Sequence, residues 1–451
     1  MPELSSVEGT PSTRLSHGPR ADQDTSRRTV VVVGAGPKAA AVAAKTYALN
    51  AAGLNAPRVV IVERARIGEH WRAGGGRTTG RLRLGTPPEK DVGYPYANDA
   101  WRRYSAAVNT SMQGFTWARY LVEHGLFHRW VDRGRPQPLH EEWAEYITWV
   151  IERSEADLIH ATVKSVERDG AKWKVTLGTD VGPESLMADG VVLTTGPSAP
   201  GSSHSRVMTE PDFWARPTLF DSLDGQSVVV VGGGEGAAAA LVELTRRMGP
   251  NRRLTVIAPS ASIYTRAESG FENRLFSDPT WWPDLGEAER LDFIRRTDRG
   301  VFSGEVVTLL MDSDISFISG RVADWQPAGS RIAVRYEQDN RRSTIHADWL
   351  VLCTAPEIET ELRIVDQELL KSIYGQSVAT LQRLTVARGV QYDLSISDQA
   401  PGLHAPGFAA LAQGPGFSNL SCLGLLSDRI LKSYVSGASR QLAGTREENF
   451  A

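Results

Sequence analysis

The amino-acid sequence predicts an α/β fold with two Rossmann-like units, the second inserted within the first, and a small, mostly helical region beside them. Two glycine-rich turns, within 28–45 and 227–238, each join a valine-rich strand to an alanine-rich helix. Two later segments, 188–197 and 347–356, each read Ala-Asp followed by an apolar strand and a small-residue turn. The first of them precedes the second glycine turn and the other follows it, so we expect the second unit to interrupt the first.

The first unit, "RTVVVVGAGPKAAAVAAK", contains a GxGxxA turn. Its first glycine permits the tight turn, its second lets a pyrophosphate approach the backbone, and its alanine allows close packing of helix on strand. The helix start offers N–H groups to the phosphates. The next strand, "RVVIVER", ends in an acid that can bind a ribose hydroxyl. This order disfavours an unrelated glycine-rich turn and predicts FAD binding by Gly34, Gly36, Pro37, Lys38, Ala39 and Glu63.

The second unit, "SVVVVGGGEGAA", repeats the pattern, but its following strand "RLTVIAPSASIYTR" lacks the terminal acid. An acid there would repel a ribose 2′-phosphate, so its absence, with an arginine downstream, favours NADPH over NADH. That arginine is equally compatible with a plain surface residue. The predicted NADPH-binding residues are Gly232, Gly234, Glu235, Ala237, Ser260 and Arg266.

Composition narrows the functional classes. The formal net charge of −3 disfavours nucleic-acid and anionic-membrane partners, which need a basic face. The two cysteines, Cys353 and Cys422, form no CxxC motif, so a dithiol redox centre is excluded and a cytoplasmic setting is favoured. No apolar run reaches the roughly 18–20 residues of a membrane span, and no metal ligand set is predicted. Residues 1–28 read as a disordered tail and 436–451 as a flexible end.

The remaining segments give the predicted domain limits. The FAD-binding domain is expected over 29–210 and 345–435, and the NADPH-binding domain over 211–344, with a helical pocket insertion at 268–312. Two helices are predicted over 115–153, with Trp143, Ile147 and Val150 as core packing, and residues 331–350 alternate like strands. Asp189 and Asp348 are interpreted as caps at the start of strands.

Beyond these units, the chain resembles the flavin-dependent N-hydroxylating monooxygenases, the lysine/ornithine N-hydroxylase family, over roughly residues 29–435. "EHWRAGGG" (69–76) is similar to the family's Trp-His-x-Gly-Met, with Trp71 retained beside the flavin and Arg72 replacing histidine. "EKDV" (89–92) matches Leu-Lys-Asp-Leu, which implies that Lys90 contacts the substrate α-carboxylate. "SGFENRLF" (269–276) resembles the segment whose asparagine, here Asn273, lies in the substrate pocket. "GPGFSNLSCLGLLSDRIL" (414–431) resembles the segment that wraps the flavin, with Asn419, Leu420 and Ser421 as ligands.

Departures from the family pattern lie around the substrate. Leu84-Gly85 replaces Met-Gln, Arg274 stands where glutamate is common, and Thr297-Asp298-Arg299 replaces Thr-Asn-Tyr. Asp298, a candidate substrate ligand, would raise the pKa of a nearby amine that must react as the neutral base. We therefore expect its carboxylate to point to solvent, or else to bind a second ammonium such as the α-amino group.

The resemblance implies that NADPH reduces FAD, that O₂ forms a flavin C4a-hydroperoxide, and that one oxygen passes to a primary amine without a catalytic side chain. A basic amino acid, L-lysine or L-ornithine, is the expected substrate, in siderophore or natural-product biosynthesis. The family also implies a homo-oligomer, often a tetramer. Two alternatives stay open. One is a Baeyer–Villiger or other class B flavin monooxygenase, although its Phe-x-Gly-x-x-x-His signature is not visible in 200–231. The other is a non-catalytic flavin-binding redox sensor.

Overall fold

The computed structural model describes residues 27–435, except 97–98, 180–181, 195–201, 203, 267–268, 299–300, 355–357 and 359–361. The predicted flexible C-terminus lies outside this range, as does the predicted N-terminal tail apart from Arg27 and Arg28. The Arg27 guanidinium donates hydrogen bonds to the carbonyl of Ala56. None of the helices in the described ranges combines the length and hydropathy that a membrane-spanning helix needs.

The first sheet has five parallel strands, in the order Leu403–His404, Gly190–Leu193, Thr29–Val33, Arg58–Glu63 and Asp157–His160. Its central strand is a run of valines that is buried because the sheet is covered on both faces. The helix Pro37–Ala51 packs on it, beneath Ser105–Met112 and Leu423–Leu431. A buried ion pair, Lys45 Nζ to Asp428 Oδ1 at 2.6 Å, joins the first and last of these helices.

The second sheet also has five parallel strands, in the order Ile315–Ser319, Arg253–Ala258, Ser227–Val231, Trp349–Leu352 and Val207–Thr209. The second unit is therefore inserted in the chain of the first, as predicted. Its predicted limits of 211–344 were too narrow, because strands on both sides of this range pair within the second sheet. The chain returns to the first unit only after Leu352.

An antiparallel meander directly precedes one strand of each parallel sheet, Gly190–Leu193 in the first and Trp349–Leu352 in the second. The first comprises Thr162–Asp169, Lys172–Thr179 and Gly182–Ala188, and the second Arg321–Ala328, Arg331–Gln338 and Arg341–Ala347. The strand alternation predicted for 331–350 is confirmed, whereas the first meander was not predicted. Both Asp189 and Asp348 follow a meander, and their carboxylates accept hydrogen bonds from the backbone N–H of Thr29 and Ser227, each at 2.8 Å. Both are strand caps, as interpreted.

The helices of 115–153 precede the strand Asp157–His160 of the first sheet. Residues 115–153 form three α-helices rather than the predicted two, because Gly125, with φ +67°, ends the first early. The stripe Trp143, Ile147 and Val150 is fully buried in the core, as predicted. The α-helices of the described chain are Pro37–Ala51, Ser105–Met112, Trp117–Glu123, Phe127–Asp132, His140–Arg153, Glu210–Trp214, Glu235–Arg247, Gly270–Ser277, Glu287–Thr297, Gly304–Leu310, Gln367–Tyr374, Arg383–Gly389, Ala410–Gln413 and Leu423–Leu431.

Candidate functional site

A large cavity, here the first cavity, lies at the carboxyl end of the first sheet and has a volume of about 490 Å³. Ligands of open α/β sheets bind at this edge. The glycine turn, the end of the second strand, the loop 68–77 and the segment 418–420 enclose it. Among the residues predicted to bind FAD, those that line it are Gly34, Gly36, Pro37, Lys38, Glu63, Trp71, Asn419 and Leu420.

The first glycine turn leaves room for a phosphate group. Gly34 adopts φ +101°, which favours glycine, and its N–H binds the carbonyl of Val62 at 2.8 Å. A Cβ atom built on Gly36 would meet no heavy atom within 4 Å, so open space lies directly above the helix start. Ala39 is fully buried where helix and sheet meet. The residues present therefore fit a dinucleotide whose pyrophosphate approaches the backbone.

Two charged side chains brace this cavity. The Glu63 carboxylate accepts hydrogen bonds from the backbone N–H of Ala35 at 2.8 Å and of Ala65 at 2.9 Å. It thus fixes the turn while staying on the cavity wall. Lys38 Nζ donates to the carbonyl of Ser418 at 2.8 Å, which ties the helix start to the segment 418–420.

Trp71 and Arg72, beside the first cavity, both contact the helix His140–Arg153. Trp71 packs edge-on against His140, with ring centroids 4.8 Å apart. Arg72, which replaces a histidine of the resembling family, turns away from the cavity. Its guanidinium binds Glu145 at 2.5 Å and Thr148 at 2.9 Å on the helix His140–Arg153. The substitution therefore supports the position of Trp71 and leaves the cavity wall to other residues.

The second glycine turn has the same backbone but tighter surroundings. Gly232 adopts φ +138°, and its N–H binds the carbonyl of Ile257 at 3.0 Å. A Cβ atom on Gly232 would lie 2.3 Å from the carbonyl oxygen of Cys353, so only glycine fits. The other predicted residues stand where the motif requires: Gly234 caps the helix, Glu235 begins it, Ala237 is fully buried, and Ser260 follows the strand Arg253–Ala258.

A smaller cavity of about 270 Å³, here the second cavity, lies between the two units. It brings Lys90 and Asn273 together, although 183 residues separate them in the chain. Lys90 Nζ lies 3.4 Å from Asn273 Oδ1. The full lining of the second cavity is Leu84, Gly85, Thr86, Pro87, Lys90, Gln137, Arg266, Asn273, Phe276, Ser303, Gly304, Glu305 and Ser421.

One chain segment separates the two cavities. Residues 418–420 line the first cavity and Ser421 lines the second. Ser421, predicted as a flavin ligand, therefore lines a different cavity from Asn419 and Leu420. A molecule in the second cavity would thus approach one in the first across the segment 418–421.

The loop that carries Lys90 is rigidly anchored. Lys90 is only 9% exposed, and burial, followed by the nearby charge of Arg266, lowers its pKa. The next residue, Asp91, accepts hydrogen bonds from the Tyr96 hydroxyl at 2.5 Å and from the backbone N–H of Trp117 at 2.9 Å. Burial raises the pKa of Asp91 to about 7. This buried carboxylate fixes the lysine loop to the first unit's helices.

The expectation that Asp298 points to solvent was wrong. Its side chain is 6% exposed, and its Oδ1 atom accepts hydrogen bonds from Arg266 at 3.4 Å and from Asn419 at 3.1 Å. Asp298 therefore joins the helical insertion to the 418–421 segment and does not line the second cavity.

Arg266, predicted as an NADPH ligand downstream of the strand Arg253–Ala258, lines the second cavity with Lys90. Its guanidinium lies 3.4 Å from Asp298 and 3.8 Å from Glu235. A surface arginine, the alternative interpretation, does not describe it either, because its side chain is 21% exposed. The sequence could not reveal this because three distant segments meet at Arg266.

Several cavity residues were not predicted. Glu305, Gln137, Phe276 and Ser303 line the second cavity. Thr194, Arg77 and Arg363 line the first. Thr194 could have been inferred, since it directly follows the strand Gly190–Leu193 at the carboxyl edge of the sheet. The others belong to loops and short helices whose positions depend on tertiary packing.

Comparison with known proteins agrees with this architecture. A family profile described as L-lysine 6-monooxygenase/L-ornithine 5-monooxygenase matches residues 106–355. The L-lysine N6-monooxygenase MbtG of Mycobacterium sp. (strain MCS) is 41% identical over 437 residues, which cover 93% of this chain and 97% of the relative. The chain belongs to the lysine/ornithine N-monooxygenase family. It is therefore an enzyme of the amino-acid N-monooxygenase type.

Solved structures of this family share the fold. Lysine monooxygenase NbtG from Nocardia farcinica superposes with a TM-score of 0.80 at 40% identity, covering 90% of this chain and all of that one. The ornithine N-hydroxylase KtzI of Kutzneria sp. 744 gives a TM-score of 0.69 at 20% identity, covering 90% and 99%. At that identity the likeness concerns the fold alone. The family thus combines two Rossmann-like units in this arrangement.

Proposed function

We propose that this enzyme hydroxylates the side-chain amine of L-lysine, with FAD in the first cavity and NADPH bound by the second glycine turn. The observation that carries the proposal is the second cavity, where a buried ammonium, Lys90, lies against Asn273 and directly behind the segment that walls the first cavity. The MbtG and NbtG relatives, both described as lysine monooxygenases, support lysine over ornithine.

The residues divide the work by location. Gly34, Gly36 and Glu63 would hold the pyrophosphate and ribose of FAD, and Asn419 and Leu420 would form the opposite wall. Gly232, Gly234 and Ser260 would hold NADPH. When bound, the reduced flavin supplies the chemistry that activates O₂ for transfer of one oxygen atom. No side chain of the protein needs to act as nucleophile.

The chain's own contribution is to bind, orient and desolvate the substrate. Lys90 would form a charge-assisted hydrogen bond with the α-carboxylate, and binding would favour its ammonium form against the effect of burial. The side-chain amine of lysine titrates near about 10.4 in water and must react as the neutral base. Leu84, Pro87 and Phe276 line the cavity and exclude water, which lowers the pKa of a buried ammonium. These walls therefore favour the neutral amine.

A product assay tests this function. The purified protein, supplied with FAD, NADPH and O₂, should form a hydroxylamine from L-lysine in preference to L-ornithine, cadaverine or L-aspartate. Substrate-independent NADPH oxidation with no hydroxylamine from any of the four would contradict it.

A further inference from the structure

The second cavity carries charges of both signs. Lys90 and Glu305 line it together, and Glu305 is the second residue of the helix Gly304–Leu310. Arg266 also lines it, but its charge is matched by two carboxylates, Asp298 and Glu235. The cavity therefore presents a buried ammonium from the first unit and a carboxylate from the second.

The charged groups of Lys90 and Glu305 have different contacts from the guanidinium of Arg266. The ammonium of Lys90 lies against the neutral amide oxygen of Asn273. Within the described part of the chain, Glu305 has one ion-pair partner, Arg83, whose Nε lies 3.4 Å from Oε1, and the Glu305 side chain is 41% exposed. A carboxylate can accept about four hydrogen bonds, so Glu305 retains acceptor capacity toward the cavity.

An α-amino acid carries an ammonium and a carboxylate on the same carbon atom, so its recognition needs an anion and a cation facing one small volume. We propose that Glu305 is a specificity-determining residue that binds the α-ammonium of L-lysine, while Lys90 binds its α-carboxylate. This inference rests on the proposed function. It explains how the enzyme would select an amino acid over simpler amines.

The physical reason is complementarity of charge in a partly desolvated site. Burial raises the pKa of Glu305, while Arg83 opposes that rise. An incoming ammonium would favour the ionised carboxylate further, because opposite charges stabilise each other more strongly away from water. A ligand without the α-amino group would leave Glu305 with Arg83 alone.

The test compares L-lysine with 6-aminohexanoate, which is lysine without its α-amino group. The ratio of kcat/KM for the two substrates is measured from hydroxylamine formation, with competitive inhibition constants for 6-aminohexanoate. In Glu305→Gln the kcat/KM for L-lysine divided by that for 6-aminohexanoate should fall about tenfold, because the KM for L-lysine rises. A tenfold change is the usual size of the loss of one charged hydrogen bond. Flavin content and thermal unfolding confirm that the variant folds.

Two further variants separate alternative causes. Glu337→Gln is the matched control, because Glu337 is a half-exposed acid, 46% exposed, paired with Arg342 on the distant second meander. Its ratio should equal that of the wild type. Arg83→Gln/Glu305→Gln removes the arginine charge that the single variant leaves unpaired, and its ratio should stay low.

The outcomes are distinct. An unchanged ratio in Glu305→Gln, with an active wild type, would overturn the role of Glu305 and leave the proposed function standing. Recovery of the wild-type ratio in the double variant would assign the effect to Arg83 and would also overturn it. A wild type that hydroxylates no lysine would overturn both proposals.

Discussion

The two Rossmann-like units have the same backbone and different surroundings. In each, a valine strand enters a positive-φ glycine turn, a meander directly precedes the strand that pairs beside that valine strand, and an aspartate caps the valine strand with a 2.8 Å hydrogen bond. The first turn opens onto a cavity of about 490 Å³ that has Glu63 on its wall. The second turn packs against the carbonyl of Cys353 and has no acid at the end of the next strand. The backbone arrangement is repeated, and we propose that the side chains at the strand ends distinguish the two ligands.

The largest effect is expected when the open space beside the first glycine turn is filled by a side chain. In Gly36→Val the side chain would occupy the empty space above the helix start, where the pyrophosphate should lie. FAD affinity should fall by about 100-fold, or about 2.7 kcal/mol, measured by flavin absorbance and titration of the apoprotein. Gly114→Val is the matched control, since a Cβ there also meets nothing within 4 Å. A yellow Gly36→Val protein with wild-type affinity would show that this space is not the FAD site.

An intermediate effect is expected when the second unit is given the acid that it lacks. Ser260→Glu would place a carboxylate just beyond the strand Arg253–Ala258, where it would repel a 2′-phosphate. The ratio of kcat/KM for NADPH over NADH should fall about tenfold. Ser372→Glu, on an exposed helix surface, should leave the ratio unchanged. An unaltered preference in Ser260→Glu would place the 2′-phosphate elsewhere.

The smallest effect is expected at the aspartate cap that both units share. Burial would raise the pKa of Asp348, but hydrogen bonds from Ser227 outweigh that effect and lower the pKa below the usual value of an aspartate. A lowered folded-state pKa stabilises the protein above the unfolded value and ceases to do so as the pH falls through the folded one. Asp348→Asn should therefore lower the free energy of unfolding by about 1 kcal/mol at pH 7 and by less near pH 3.5. Urea unfolding of the wild type and the variant at pH 7 and at pH 3.5 measures this difference in the free energy of unfolding. A difference of the same size at both pH values would contradict the prediction.

The backbone arrangement shared by the two units could be predicted from the sequence because it depends on local rules. Glycine at Gly34 and Gly232, alanine under the helices and caps at Asp189 and Asp348 are each required by one turn or one contact, so each leaves a local signal. The resemblance placed Lys90 and Asn273, and the structure brings them together.

The second cavity could not be predicted in the same way. Arg266, Asp298 and Asn419 come from three distant segments, and their ion pair and hydrogen bond depend on how the insertion packs on the first unit. Glu305 has no neighbouring motif that would mark it in the sequence. Domain limits failed for a related reason, since the pairing of Val207–Thr209 and Trp349–Leu352 joins segments about 140 residues apart.

The central claim, that the cavity behind the 418–421 segment recognises the α-carboxylate of L-lysine through Lys90, is tested most directly by steady-state kinetics of Lys90→Ala. The KM for L-lysine should rise by about 10- to 100-fold while NADPH oxidation continues, and the KM for cadaverine, which has no carboxylate, should hardly change. Lys371→Ala, an exposed lysine, serves as control. An unchanged KM for L-lysine, or an equal rise for both amines, would contradict the account.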